Sequence, residues 1–183
     1  MVEQRTLKKV NGAEAVKPAD TRWSQVRYLP AAPLPLVARV SLLPNIRIDE
    51  FHLSDYDLIV NLWKEAGLVL RPGDDMDSVR LKLQRDPDLF LVAREMDEVV
   101  GSVMGGWDGR RGWIYHLAVR PSHQRQGIAK ALIRELEFRL AEKGAKRVNA
   151  QIYESNTASI RFFGSCGYEI RPDLVMIGKA LND

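Results

Sequence analysis

Residues 118–132, "AVRPSHQRQGIAKAL", run from the end of an apolar strand through a proline turn into a helix whose first turn holds no acidic residue. A helix N-terminus presents unpaired amides and roughly half a positive charge, so an acidic first turn or a Ser, Thr, Asp or Asn cap is the usual complement. Here the positions hold Gln124, Arg125, Gln126, Gly127 and Lys130. Two cations beside the positive end of a dipole repel it unless an anion occupies the spot. A strand, a tight amide-rich turn and a helix N-terminus together aim several N–H donors at one point, and Gly127 and Ala129 keep that point free of bulk. The stretch therefore predicts a phosphate-binding turn, set against the plainer alternative of a solvated loop and a poorly capped helix. Two common phosphate loops fail on spacing: G-x-x-x-x-G-K-[ST] does not occur, and the glycines of "VVGSVMGG" do not spell G-x-G-x-x-G between a strand and a helix.

The flanking sequence supplies the scaffold. "IRIDEF" alternates as a strand, and Ser54 is placed to cap a helix carrying Leu58, Ile59, Leu62, Trp63 and Ala66 on one stripe, ended by Gly67. "MDSVRLKLQR" predicts a second, shorter helix. "LFLVARE" and "EVVGSVMGGW" read as strands joined at Met96 and Asp97, and the Asp-Gly turn of "DGRRG" leads into a third, "WIYHLAV". After the quoted turn a helix runs to about Lys143, with Ile128, Ala131, Leu132, Leu136 and Leu140 inward. "RVNAQIY" then reads as a strand, Asn156 to Ser165 as a short helix ended by Gly167, and "YEI" and "LVMIGK" as two closing strands. This order predicts a mixed α/β sandwich built on an antiparallel meander.

Composition narrows the function classes. With 183 residues, 45% hydrophobic and 28% charged, the protein is long enough for one domain with a core plus an appendage. The appendage is residues 1–44, where Pro30, Pro33, Pro35 and Pro44 interrupt any helix or central strand. The net charge of +3 divides unevenly: residues 1–45 carry seven Lys or Arg against three acids, leaving −1 for the remainder, a poor pattern for a nucleic-acid-binding fold. A lone cysteine, Cys166, excludes an internal disulfide, and His52, His116 and His123 are too scattered for a metal cluster. No run of eighteen apolar residues occurs and no secretory pattern opens the sequence, so a cytoplasmic protein without a membrane span is expected.

At "HLAVRPSHQRQGIAKALI" the sequence resembles the GNAT superfamily of N-acetyltransferases: Gln124-x-x-Gly127-x-Ala129 matches that family's Q/R-x-x-G-x-G/A loop. "NTASIRFFGSCGYE" is similar to its N-x-x-A/S-x-x-x-Y-x-x-x-G-F/Y segment, and the resemblance covers residues 46–180. "LWKEAGLVLRPGDDMDSVRLKL" and "LFLVAREMDEVVGSVMGGWDGRRGWIYHLAV" further resemble a group of small bacterial GNAT proteins. The resemblance implies a GNAT fold over residues 45–183, a mostly antiparallel mixed sheet flanked by helices, with residues 1–44 added in front. It implies acetyl-CoA as acetyl donor and a small-molecule or peptide amine as acceptor, with a homodimer left open and no metal. By position, Leu117, Ala118 and Val119 lie along the pantetheine and acetyl group, and Arg125, Gln126, Gly127, Ile128, Ala129 and Lys130 take the pyrophosphate. Asn156 matches the residue at the pantetheine end, and capping its helix is compatible with that role.

Transfer to an amine needs a neutral amine, a stabilised oxyanion and a way for the thiolate to leave. A lysine-like amine is neutral only about once in a thousand molecules at pH 7, so a proton acceptor is expected. The position of the usual thiolate-protonating Tyr holds Phe163, and that of the Glu base of ribosomal-protein alanine acetyltransferases holds Gln151. Strand parity puts Trp113, Tyr115, Leu117 and Val119 on one face and Ile114, His116 and Ala118 on the other. Other GNAT enzymes place a base or proton relay at the positions matching Trp113 and Tyr115, so the resemblance makes Tyr115 the first proton-handling candidate and Tyr153 the next. His116 faces away unless a bulge intervenes. Asp74, Asp75 and Asp77 read either as an attractor for a cationic amine or as an acidic turn before a helix. Phe163 and Gln151 also admit a non-catalytic acyl-CoA-binding or regulatory module, and the basic first 44 residues a nucleic-acid contact.

Overall fold

The structure, a computed structural model, describes Leu43 and residues 45–179. Apart from Leu43, the expected extension over residues 1–44 lies outside the described residues. Strand β1 (Ile46–Glu50) leads through a 3-10 turn at Leu53–Asp55 into helix α1 (Tyr56–Glu65), and α2 (Met76–Arg85) follows. Strands β2 (Phe90–Glu95), β3 (Glu98–Trp107) and β4 (Gly112–Val119) form the meander. A 3-10 turn at Pro121–His123 precedes α3 (Ile128–Glu142), then come β5 (Val148–Ala150) and α4 (Thr157–Ser165). The sheet order is β1-β2-β3-β4-β5, antiparallel through β4, with β5 parallel to β4. A parallel pair needs a crossover, and α3 is that crossover.

The sheet buries both faces. On one, Leu91, Ala93, Val103, Ile114 and Val119 pack against Ile128, Leu132, Leu136 and Leu140 of α3. On the other, Phe90, Val92 and Met104 pack against Ile59, Leu62 and Trp63 of α1 and Val79 of α2. Each such residue, fully withdrawn from water, contributes about 1.5–3 kcal/mol. Gly105 and Gly112 let α3 settle on the sheet, because a side chain at either would meet Leu136 or Leu140. No helix among the described residues is long and apolar enough to cross a membrane.

The predicted second helix and the middle strand of the meander, "MDSVRLKLQR" and "EVVGSVMGGW", have the bounds found. Three local expectations change, the first being that the strand read over "RVNAQIY" covers only Val148–Ala150. Helix α1 starts at Tyr56 with Asp55, not Ser54, in the cap position, and Leu58 lies outside the buried stripe. Asp55 gives its carboxylate to Arg94 of β2 at 2.5 Å and makes no cap hydrogen bond, so the preceding 3-10 turn, not a side-group cap, starts the helix. The two closing strands are also not formed: residues 168–179 hold no strand, and Leu174, Val175, Met176 and Ile177 are exposed. β5 offers only three residues of edge to pair with, and Leu174 N–H turns back onto Arg171 C=O (3.2 Å).

Candidate functional site

The turn before α3 lies where the sequence puts it, between the end of β4 and the start of the helix. Arg125 takes φ 61° and Gly127 φ 90°, both left-handed. Arg125 adopts this at a cost of roughly 1–2 kcal/mol, since its Cβ crowds the following carbonyl. Gln124 before them is extended (φ −70°, ψ 160°), and the two left-handed residues bend the chain into the helix start, forming a nest of backbone amides. Helix α3 has Gly127 in the cap position and no cap from a side group, and its first internal bond runs from Ala131 N–H to Gly127 C=O (3.0 Å). Ahead of that bond, the amides of Ile128, Ala129 and Lys130 have no partner within the helix. The residues that could cap it hold the loop instead. Gln124 Nε2 donates to Val119 C=O (3.0 Å) and Gln126 Nε2 to Ser122 C=O (3.2 Å). The His123 ring lies 2.8 Å from Ser122 Oγ and 3.1 Å from Glu95 Oε2. Arg125 and Lys130 are exposed at the rim, whereas the Ile128 side chain belongs to the core and offers only its amide.

Strand β4 runs into this turn with an open edge. β5 pairs with it only from Gly112 to Ile114, so among the described residues no strand lies beside Tyr115–Val119 on that side. Leu117, Ala118 and Val119 thus bring backbone donors and acceptors to a free edge that ends at the nest.

A bulge interrupts β4 at the same place. Ser102 stands opposite Ala118 and Met104 opposite Tyr115, so His116 and Leu117 together face Val103. His116 absorbs the extra residue at φ 48°. The insertion overturns the parity read from the sequence. Ile114, Leu117 and Val119 pack on the α3 side, whereas Ala118 belongs to the α1 side and the His116 ring lies 4.6 Å from that of Trp63. Tyr115 stands opposite Met104 and so also faces α1, since directly opposed residues share a face. His116 therefore stands on the same face as Tyr115.

On that face His116 meets Asp74, from the loop between α1 and α2, with Nε2 2.9 Å from Asp74 Oδ1. Asp74 is buried, its Oδ2 accepts from Arg71 N–H (2.7 Å), and its backbone carbonyl accepts from the Tyr56 hydroxyl (2.9 Å). His116 Nδ1 is buried and has no hydrogen-bond partner among the described residues. The acidic cluster thus divides. Asp75 caps α2 through Ser78 N–H (2.9 Å) and Asp77 pairs with Arg80, leaving Asp74 alone to reach the sheet. Sequence reasoning missed this pair. Its trace was that a helix start requires one or two acids and the loop supplies three.

Tyr115 is 38% exposed, and the burial it does have pushes its phenol above the ordinary value of 10, so it keeps its proton. Asn156 Oδ1 caps α4 through Ser159 N–H (3.0 Å), which leaves its NH2 group for a ligand. Phe163 is buried edge-on against Phe162 and Tyr168, with ring centroids 5.4 and 5.0 Å away. Gln151 is exposed just beyond β5. Tyr153 lies under the Arg71 guanidinium, 5.4 Å from ring centroid to Cζ, which links the α1–α2 loop to the segment after β5. Cys166 is part-buried after α4.

Comparison with known proteins agrees with this geometry. Residues 56–168 match the model of the acetyltransferase (GNAT) family. An acetyltransferase of Sodalis glossinidius is 40% identical over 137 residues, spanning 74% of this protein and 96% of that one. Another from Pectobacterium atrosepticum is 42% identical over 138 residues, spanning 75% and 95%. Among solved structures, the PaiA N-acetyltransferase of Thermoplasma acidophilum in complex with coenzyme A superposes with a TM-score of 0.62 at 16% identity, covering 69% of this protein and 91% of that one, a likeness of fold.

Proposed function

The protein belongs to the acetyltransferase (GNAT) family, and on that premise we propose that it moves the acetyl group of acetyl-CoA to a primary amine, of a small molecule or a peptide, by direct attack on the thioester. One observation carries the reading: the open edge of β4 from Tyr115 to Val119 ends at an uncapped helix N-terminus with left-handed Arg125 and Gly127 before it. An extended pantetheine arm fits such an edge as an added strand would, and a diphosphate fits the nest. Leu117, Ala118 and Val119 supply backbone hydrogen bonds to the arm and to the thioester carbonyl, whose oxygen becomes negative as the amine attacks. The amides from Arg125 to Lys130 hold the diphosphate, with the Arg125 and Lys130 side chains neutralising it. The Asn156 NH2 group steadies the arm from the opposite side.

Tyr115, on the acceptor face and protonated throughout the neutral range, hands its proton to the departing thiolate. It takes over the part that Phe163, sealed in the core, cannot play. Phe163 and Gln151 also support a second reading, an acyl-CoA-binding module without turnover. Calorimetry with coenzyme A and thiol release with an amine panel separate the two: both readings require binding, and only the first requires thiol release.

A further inference from the structure

We propose that His116, oriented by Asp74, is the proton acceptor for the incoming amine. The inference deepens the acetyl-transfer reading and rests on it. Three observations converge on this ring. Its backbone sits at φ 48°, a conformation that residues with a Cβ seldom adopt and that recurs at functional sites. That conformation is what turns the side chain from the α3 face to the face shared by Tyr115. The second observation is the pairing with Asp74 at 2.9 Å. With the ring hydrogen on Nε2 beside that carboxylate, the lone pair of the neutral ring falls on Nδ1. The third is that Nδ1 is buried and unpartnered among the described residues. Buried polar atoms are almost always paired. A proton reaches this acceptor through one water admitted beside it when the amine binds.

The surroundings fit a base. Trp63 of α1 covers one side of the ring, and Ser102 of β3 reaches the His116 carbonyl and not the ring. Of the titratable groups nearby, Asp74 faces the imidazole, Tyr56 of α1 spends its hydroxyl on the Asp74 carbonyl, and Tyr115 precedes His116 on the strand. Arg71 of the same loop is turned onto Tyr153. A proton taken up by Nδ1 thus leaves an imidazolium facing one carboxylate.

The step balances. The acceptor arrives as an ammonium ion, and Nδ1 removes one proton to give the free amine. Its nitrogen lone pair forms a C–N bond to the thioester carbon, and the C–S bond breaks with its electrons on sulfur. Tyr115 protonates that sulfur and is reprotonated by the second N–H. The imidazolium returns its proton to solvent, so ammonium plus thioester gives amide, thiol and one proton.

The test uses the full-length protein with a panel of polyamines, amino acids, aminoglycosides and peptides. Thiol release is followed against pH, acetyl-CoA affinity by calorimetry, and the His116 ring by NMR titration. His116→Asn keeps a residue that tolerates positive φ. It should bind acetyl-CoA as the wild type does and lose about a hundredfold or more in kcat/KM at pH 7. Its rate should then climb with pH up to the amine's own pKa, where the wild type levels off earlier. Asp74→Asn should move the His116 titration and the wild-type plateau together, and it carries the test if His116→Asn does not fold. A folded His116→Asn variant with unchanged rate and pH profile overturns the proposal, as does a His116 titration indifferent to Asp74→Asn. Absence of thiol release from the wild type with every amine, despite coenzyme A binding, instead overturns the transferase reading and this inference together.

Discussion

Leu136 of α3 presses on Gly105 of β3 so closely that a Cβ built on the glycine would lie 2.4 Å from Leu136 Cδ1, with Cδ2 and Cγ at 3.1 and 3.2 Å. Three atoms of a fully buried leucine do not all withdraw by rotamer change. Gly105→Ala should therefore destabilise the fold by about 1–3 kcal/mol through overpacking. Adding Leu136→Ala should recover part of that loss, so that the double variant is more stable than the sum of the single ones predicts. Denaturant unfolding of the four proteins in the cycle measures the coupling.

Gly127 poses the opposite case. A Cβ there would meet nothing nearer than Leu43 Cδ2 at 3.7 Å, so space is available and only the φ of 90° resists a larger residue. Gly127→Ala should cost about 1–2 kcal/mol of stability by that conformational penalty. The new methyl group would also stand where the diphosphate approaches the amides. Coenzyme A affinity should fall by about tenfold or more, equal to roughly 1.4 kcal/mol of binding, read by calorimetry below the melting transition.

For Tyr115 the expected signature is a split between binding and turnover. Tyr115→Phe should leave acetyl-CoA affinity unchanged and lower kcat by about a hundredfold or more, the usual contribution of a positioned acid. The wild-type phenol, raised above 10 by burial, stays protonated up to that pH and loses its proton only beyond it. An alkaline fall in kcat assigned to Tyr115 must then lie above pH 10 and must vanish in the Phe variant. A pH–rate profile of both proteins checks it.

Asp108 governs the turn from β3 to β4. Its carboxylate accepts from Arg110 N–H (2.8 Å), Arg111 N–H (2.6 Å) and Trp113 Nε1 (3.1 Å). These bonds, that from Arg111 foremost, hold its pKa down to about 2 against 3.8. A folded pKa below the unfolded one stabilises the fold above about pH 4 and is lost as pH falls from there toward 2. Asp108→Asn should lower the melting temperature at pH 7 and narrow the gap to the wild type at pH 2–3. Thermal unfolding across that range is the measurement.

The turn before α3 was legible because its residues are unusual for a helix start: no acid and no Ser, Thr, Asp or Asn cap stands there, whereas Arg125 and Lys130 do. The meander was legible because its alternation and its turn residues agree. The face of His116 was not, since a bulge adds one residue with no mark in residue type, and His carries none of the permissiveness that Gly would announce. Asp74 was masked by its neighbours, because Asp75 and Asp77 satisfy the usual chemistry of a helix start and a third acid beside them passes as part of the same turn. The closing strands were read from apolar alternation, but a strand also requires an edge of matching length, and the three residues of β5 do not advertise their brevity.

The extra residue at His116 makes β4 a strand with two phases. Positions up to Tyr115 and positions from Leu117 onward obey opposite rules about which neighbour is apolar and which is not. A scan of single charged substitutions along β4 should show tolerance that alternates from Gly112 to Tyr115 and is lost at Ala118 and Val119, which are both buried. Deleting the extra residue would restore unbroken alternation and leave every other side chain of the strand on the face it now occupies.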